Sequence, residues 1–214
     1  MKLLNKDFLN KHSNDFWTEN VAMTLYALIK TQRPKNIIEC GFGYTTNFIG
    51  EAIKDIEEEE PSYSPNFTIV DMFANQTAHV HREDDAMSNI IKDLEEKDLN
   101  NGFEVIKKDM MEYVSSDDFR QKTYDFIWAD FGNGEEYLEF FFKALQQLEE
   151  GGVLIMHNTV CSALGRIFIL EAELIVRQNL GLEMINFVES HKPQQNSYTI
   201  FRKKFNAPLY GMYS

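Results

Sequence analysis

Apolar residues recur along the chain in two rhythms, one helical and one of short strands. Trp17, Val21, Leu25 and Leu28 fall at helical spacing, with Ser13 or Asn14 placed to cap the start. Thr31-Gln32-Arg33-Pro34 ends that helix, because proline lacks a donor and restricts the residue before it. The apolar run Asn36-Ile37-Ile38-Glu39-Cys40 then leads straight into Gly41-Phe42-Gly43. A second helix follows, burying Phe48, Ile49, Ala52, Ile53 and Ile56, and dissolves in the like-charged stretch from Glu57 to Pro61. Further strands are predicted at 67–70, 103–106, 124–129, 153–156, 183–188 and 198–202. Helices are predicted at about 85–97, 135–149 and 164–179, with Gly151-Gly152 capping the second of these.

Strands alternating with helices imply right-handed crossovers and a mainly parallel sheet covered on both faces. The last two strands lack a helix between them and are expected to pair antiparallel at one edge. The fold expected is therefore α/β, a Rossmann-like three-layer sandwich around a seven-stranded sheet. A chain of 214 residues suits a single domain, with an N-terminal helical extension over 1–33 and the core over 34–214.

Composition narrows the partners. The net charge is -13 and no basic stripe occurs, so no nucleic-acid partner is expected. Arg202, Lys203 and Lys204 are too short a cluster to reverse that balance. Cys40 and Cys161 match neither a metal spacing nor a disulfide scaffold. The N-terminus turns polar too early for a signal peptide, and no apolar run approaches the ~18 residues of a membrane span. A cytoplasmic protein with a small-molecule substrate and no membrane partner is the expectation.

Glu39, Asp71, Asp109, Asp130, His157 and Asn158 all stand at predicted strand ends and would share one rim, where such sheets bind ligands. Gly41 and Gly43 let a ligand approach the backbone without a Cβ in the way. A dinucleotide would favour a third glycine, but Thr46 stands there, which weakens the pyrophosphate reading. S-adenosylmethionine has no pyrophosphate. It needs room for its amino-acid end at the glycine turn and an acceptor for its ribose hydroxyls, which Asp71 can provide.

Ile37 to Thr46 resembles motif I of the class I methyltransferases. Tyr124 to Asp130, Tyr137-Leu138 and Gly151 to Asn158 resemble the catechol and caffeoyl-CoA type of O-methyltransferase. The resemblance implies an S-adenosylmethionine-dependent methyltransferase acting on a small acceptor, most readily at oxygen. It also implies that Glu39, Gly41, Gly43 and Tyr44 border the methionine end, with Asp71 at the ribose. Asp109 would take the adenine amino group and Met110 the neighbouring backbone contact, with Asp130 beside the donor.

That family holds a divalent ion with an Asp after strand four and an Asp-Asn pair after strand five, lowering the pKa of the attacking hydroxyl. Here the corresponding residues are Asp130, His157 and Asn158, and Phe131-Gly132-Asn133-Gly134 replaces the segment carrying the family's lysine. Two readings stay open. Asp130, His157 and Asn158 bind a metal, with Mn, Fe, Co or Zn suiting the mixed donors better than Mg. Alternatively, no metal binds and His157 is the catalytic base beside Asp130; a purely structural His157 stands behind both. A non-catalytic module that keeps the cofactor pocket, and a nicotinamide-dependent oxidoreductase, are the competing functions. His79 and His81 read as a solvated loop, His12 and His191 as exposed, and Trp17 as core or as a wall of the substrate pocket. Phe140-Phe141-Phe142 spreads aromatics around its helix, a hint of a homodimer.

Overall fold

The computed structural model describes residues 19–72, 84–132, 134–160, 162–178, 181–190 and 196–204. Trp17, His12, His79, His81, Asn133, Cys161, His191 and the caps at Ser13 and Asn14 lie outside the described residues.

In chain order the elements are α1 (Glu19–Gln32), β1 (Asn36–Cys40), α2 (Tyr44–Glu59), β2 (Asn66–Asp71), α3 (Asp84–Glu96) and β3 (Glu104–Lys107). The short helices α4 (Met110–Val114) and α5 (Asp117–Arg120) follow, then β4 (Tyr124–Ala129), α6 (Tyr137–Gln147), β5 (Leu148–His157) and α7 (Ala163–Gln178). β6 (Leu182–Val188) and β7 (Ser197–Lys203) complete the described chain. The strands form one sheet in the order β3-β2-β1-β4-β5-β7-β6. β7 runs antiparallel to both β5 and β6, and the remaining pairings are parallel. The expected Rossmann-like sandwich with an antiparallel edge pair is therefore present, with β7 slipped inside β6.

Alternation along the strands feeds two apolar layers. Ile37, Phe126, Trp128 and Ile155 face α1, α2 and α3, while Ile38, Ile127, Leu154 and Met156 face α4 to α7. Asp125 starts the central strands together: one carboxylate oxygen accepts from the N–H groups of Lys35 and Asn36, both at 2.9 Å. Helix α1 is anchored on α2 by buried polar contacts. The Tyr26 hydroxyl donates to Asp55 at 2.5 Å, and Lys30 meets Glu59 at 3.0 Å.

Gly151-Gly152 does not cap a helix. Helix α6 passes directly into β5, and the pairing with β4 shifts from Tyr124↔Leu148 to Phe126↔Val153, which leaves a bulge at 149–152. Gly151 holds φ +81, and a Cβ on Gly152 would lie 2.9 Å from the Glu149 carbonyl oxygen. The glycines thus absorb extra residues within a strand, the other setting in which their freedom is used.

Tyr26→Phe removes the donor from a buried carboxylate. It is expected to lower stability by about 1–3 kcal/mol, read from urea unfolding monitored by circular dichroism.

Candidate functional site

The strand order reverses between β1 and β4, and the chain leaves these strands toward opposite faces of the sheet. The crevice at such a reversal is where sheets of this kind take ligands. The turn after β1 is fastened there from both sides. Gly41 N–H donates to the Val70 carbonyl at 2.9 Å, and Asp130 N–H donates to the Cys40 carbonyl at 2.8 Å. Gly41 sits at φ +100, and a Cβ on it would lie 2.1 Å from the Asp130 carbonyl oxygen, so only glycine fits. Phe42 N–H donates to the Asp71 carboxylate at 2.8 Å, tying the turn to the end of β2. Gly43 is extended, at φ 179, and begins α2. Its N–H donates to the Thr46 hydroxyl at 3.0 Å, while Thr46 N–H returns a bond to the Gly43 carbonyl at 3.1 Å. Thr46 therefore caps the helix where a dinucleotide site would carry its third glycine.

Beneath the turn lies a buried polar chain. Trp128 Nε1 donates to the Thr45 hydroxyl at 3.1 Å, and that hydroxyl donates to Glu39 Oε1 at 2.7 Å. Glu39 is fully buried and its Oε2 has no hydrogen-bond partner. Burial pushes its carboxyl up to about 8, with the charges of Asp130 and Asp71 adding to the effect and the hydroxyls of Thr45 and Thr46 opposing it. Three carboxyl groups from three strand ends thus lie close enough for their charges to act on one another. Sequence reasoning singled out Glu39, Asp71, Asp130 and the Thr46 position, but gave Thr45 and Trp128 no part in the site. The available signals were a further hydroxyl just past a glycine turn, and a tryptophan in a strand neighbouring Glu39.

His157 Nδ1 lies 2.8 Å from Asp130 Oδ1, and its ring centroid is 5.7 Å from that of Trp128. The histidine is 2 % exposed and its Nε2 is buried without a partner, whereas the Asp130 side chain is 30 % exposed. This geometry bears on both sequence readings of His157. As a base acting directly on substrate it faces the wrong way, because the strand alternation that buries Val153 and Ile155 buries it too. As a metal ligand it spends Nδ1 on Asp130, and among the described residues no group of three or more His, Cys, Asp or Glu side chains is placed to hold an ion. Asn158 takes a left-handed φ of 57, with its N–H bonded to the Ser197 carbonyl at 2.8 Å. A divalent metal at these positions is not supported, and no chemical step is routed through one.

The remaining rim residues hold structural posts of their own. Asp109 is exposed and caps α4, its carboxylate accepting from Glu112 N–H at 3.0 Å. The Met110 side chain is buried in the core, and Tyr44 is half-buried against Phe48 with ring centroids 5.0 Å apart. The loop after β4 is pressed onto α7: a Cβ on Gly134, at φ +105, would lie 2.8 Å from Leu164 Cβ. Phe131 packs edge-on against Phe140 at 4.7 Å. Phe140 and Phe141 are fully buried in the core, and Phe142 is half-buried.

Two outcomes follow from this geometry. Glu39 is protonated in the fold up to about 8 but ionises near 4.5 when unfolded, so its contribution is fully present below 4.5 and lost as pH rises through 8. The ligand-free melting temperature should fall across that window, and Glu39→Gln should flatten the fall in a thermal scan. Gly41→Ala should cost at least ~3 kcal/mol, from clash plus backbone strain. By contrast, Gly102→Ala, at φ +65 with nothing near its Cβ, should cost only about 1 kcal/mol. Equal losses in urea unfolding would contradict the close approach at Gly41.

Comparison with known proteins agrees with the fold. The chain resembles in structure an O-methyltransferase from Bacillus cereus in complex with SAH, at TM-score 0.66 and 16% identity over 94% of this chain and 93% of that one. The O-methyltransferase TomG from Streptomyces achromogenes, in complex with SAM, matches at TM-score 0.65 and 14% identity over 95% and 92%. An rRNA methylase from Streptococcus thermophilus matches at TM-score 0.56 and 14% identity over 86% and 94%. At such identities these likenesses establish the fold. A search of the curated proteins finds no match. Residues 38–159, which hold the glycine turn, Asp71, Asp130 and His157, match the family described as methyltransferase domain; the chain belongs to that methyltransferase family and carries the class I S-adenosylmethionine-dependent fold.

Proposed function

We propose that this chain is a cytoplasmic, single-domain enzyme that moves the methyl group of S-adenosylmethionine to an oxygen of a small acceptor. The observation that carries the reading is the cluster of three carboxyl groups at the glycine turn, Glu39, Asp71 and Asp130. Such an acidic cluster complements a ligand that presents a sulfonium and an ammonium together. Glu39 receives the methionine ammonium, with Gly41, Gly43 and Tyr44 along that end. Asp71 takes the ribose hydroxyls, and Asp109 with Met110 borders the adenine. A small acceptor is favoured over nucleic acid by the net charge of -13.

Transfer is an in-line displacement. A lone pair of the acceptor oxygen forms the new O–C bond as the C–S bond breaks, and the electron pair of that bond stays on sulfur as a neutral thioether. The acceptor proton passes to Asp130, the half-exposed member of the Asp130–His157 pair. His157 is a positioning residue: its buried ring fixes the carboxylate through the 2.8 Å contact. Orientation and proton removal are the enzyme's main contributions to such a reaction.

Calorimetric titration with S-adenosylhomocysteine, with NAD as the comparison ligand, tests the cofactor. Saturable binding of the thioether alone is expected; binding of NAD instead would turn the reading toward an oxidoreductase. With a panel of small phenols and catechols, Asp130→Asn should lower turnover by about 10²–10⁴-fold while thioether affinity holds. His157→Ala should lower kcat more mildly and shift the pH profile. Full turnover in both variants would remove the proposed base.

A further inference from the structure

Glu39 is held by a chain of hydrogen bonds whose direction is fixed. The Trp128 indole N–H can only donate, and it donates to the Thr45 hydroxyl at 3.1 Å. Thr45 has one proton of its own, which goes to Glu39 Oε1 at 2.7 Å. All three side chains are buried, so the reverse sense is costly. Were Oε1 to carry the carboxyl proton and donate it to Thr45, the threonine would accept twice. Its own proton would then lose its acceptor inside the protein. Thr46 is set in the same way: its oxygen accepts the Gly43 N–H at 3.0 Å, and its hydroxyl favours the ionised carboxyl. Oε1 is thus reserved as an acceptor, and Oε2 is the oxygen with no partner.

We propose that Trp128, acting through Thr45, is a positioning residue for the cofactor: the chain keeps the Glu39 proton off Oε1 and presents Oε2 to the ammonium of the methionine end. The inference rests on the methyl-transfer reading and adds to it two residues that do not themselves touch the ligand. The ammonium meets an oxygen with no competing bond to break, while the Thr45 bond keeps the carboxyl from turning. Thr45 and Thr46, both on α2, favour ionisation of Glu39. Burial, Asp130 on β4 and Asp71 on β2 oppose it. Loss of the Thr45 hydroxyl therefore raises the pH at which Glu39 becomes a carboxylate.

Two ligands separate this role from a merely structural one. S-adenosylhomocysteine carries the ammonium, and methylthioadenosine keeps the nucleoside thioether without it. Thr45→Val, close in shape but lacking the hydroxyl, should weaken S-adenosylhomocysteine about tenfold and leave methylthioadenosine unchanged. Thr45→Ser should restore the affinity. Affinity of the unmodified protein for S-adenosylhomocysteine should rise with pH and level off above about 8, and in Thr45→Val it should level off at a higher pH. Trp128→Phe should give a smaller loss with the same selectivity, about threefold, and carries the test if Thr45→Val does not fold. Unchanged S-adenosylhomocysteine affinity in these variants, or equal weakening of both ligands, overturns the positioning role and leaves the methyl-transfer reading standing. Failure of the unmodified protein to bind S-adenosylhomocysteine overturns both.

Discussion

The site depends on a contact that leaves no space for a side chain. At Gly41 the backbone of the β1 turn passes so close to the Asp130 carbonyl that a Cβ would stand 2.1 Å from it. That approach lets β1 and β4 exchange their last hydrogen bond just where the chain parts to opposite faces. Because the gap is closed there, Glu39, Asp71 and Asp130 are gathered near the glycine turn instead of being spread along the sheet edge. The Phe42–Asp71 and Gly43–Thr46 bonds then hold the turn in that shape.

Around this contact the sequence spends polar atoms on position. The hydroxyl of Thr45 links Trp128 to Glu39, and the His157 ring is buried to hold the Asp130 carboxylate. Such groups are costly to bury, and the low dielectric that makes them so also strengthens each bond they form. Asp130 is left as the member of its pair that reaches the open side.

Much of the fold could be read from the chain because strand alternation and helical spacing are local properties. Ile37-Ile38 followed by two glycines, or Tyr124 to Ala129 ending at Asp130, admits few other arrangements. The glycine turn and the acids at strand ends were legible for the same reason. What escaped depends on direction and neighbours. Gly151-Gly152 looks the same in a helix cap and in a bulge, and only pairing with β4 separates the two. His157 looks like a rim residue until its alternation with Ile155 and Val153 is followed inward. Asp109 reads as a ligand contact, although the capping of α4 is equally written in its position three residues before Glu112.

With the ammonium of the proposed ligand set on the unpartnered oxygen of Glu39, ligand capture acquires a proton stoichiometry. At neutral pH the buried carboxyl is protonated, its affinity for the proton raised by burial and by two neighbouring charges. A cation docking against it restores the ordinary preference for the ionised form, so the proton leaves as the ligand arrives. On that reading the buried carboxyl is a proton store that is discharged into solvent on binding. The heat released on binding must then include the protonation heat of whatever buffer accepts that proton.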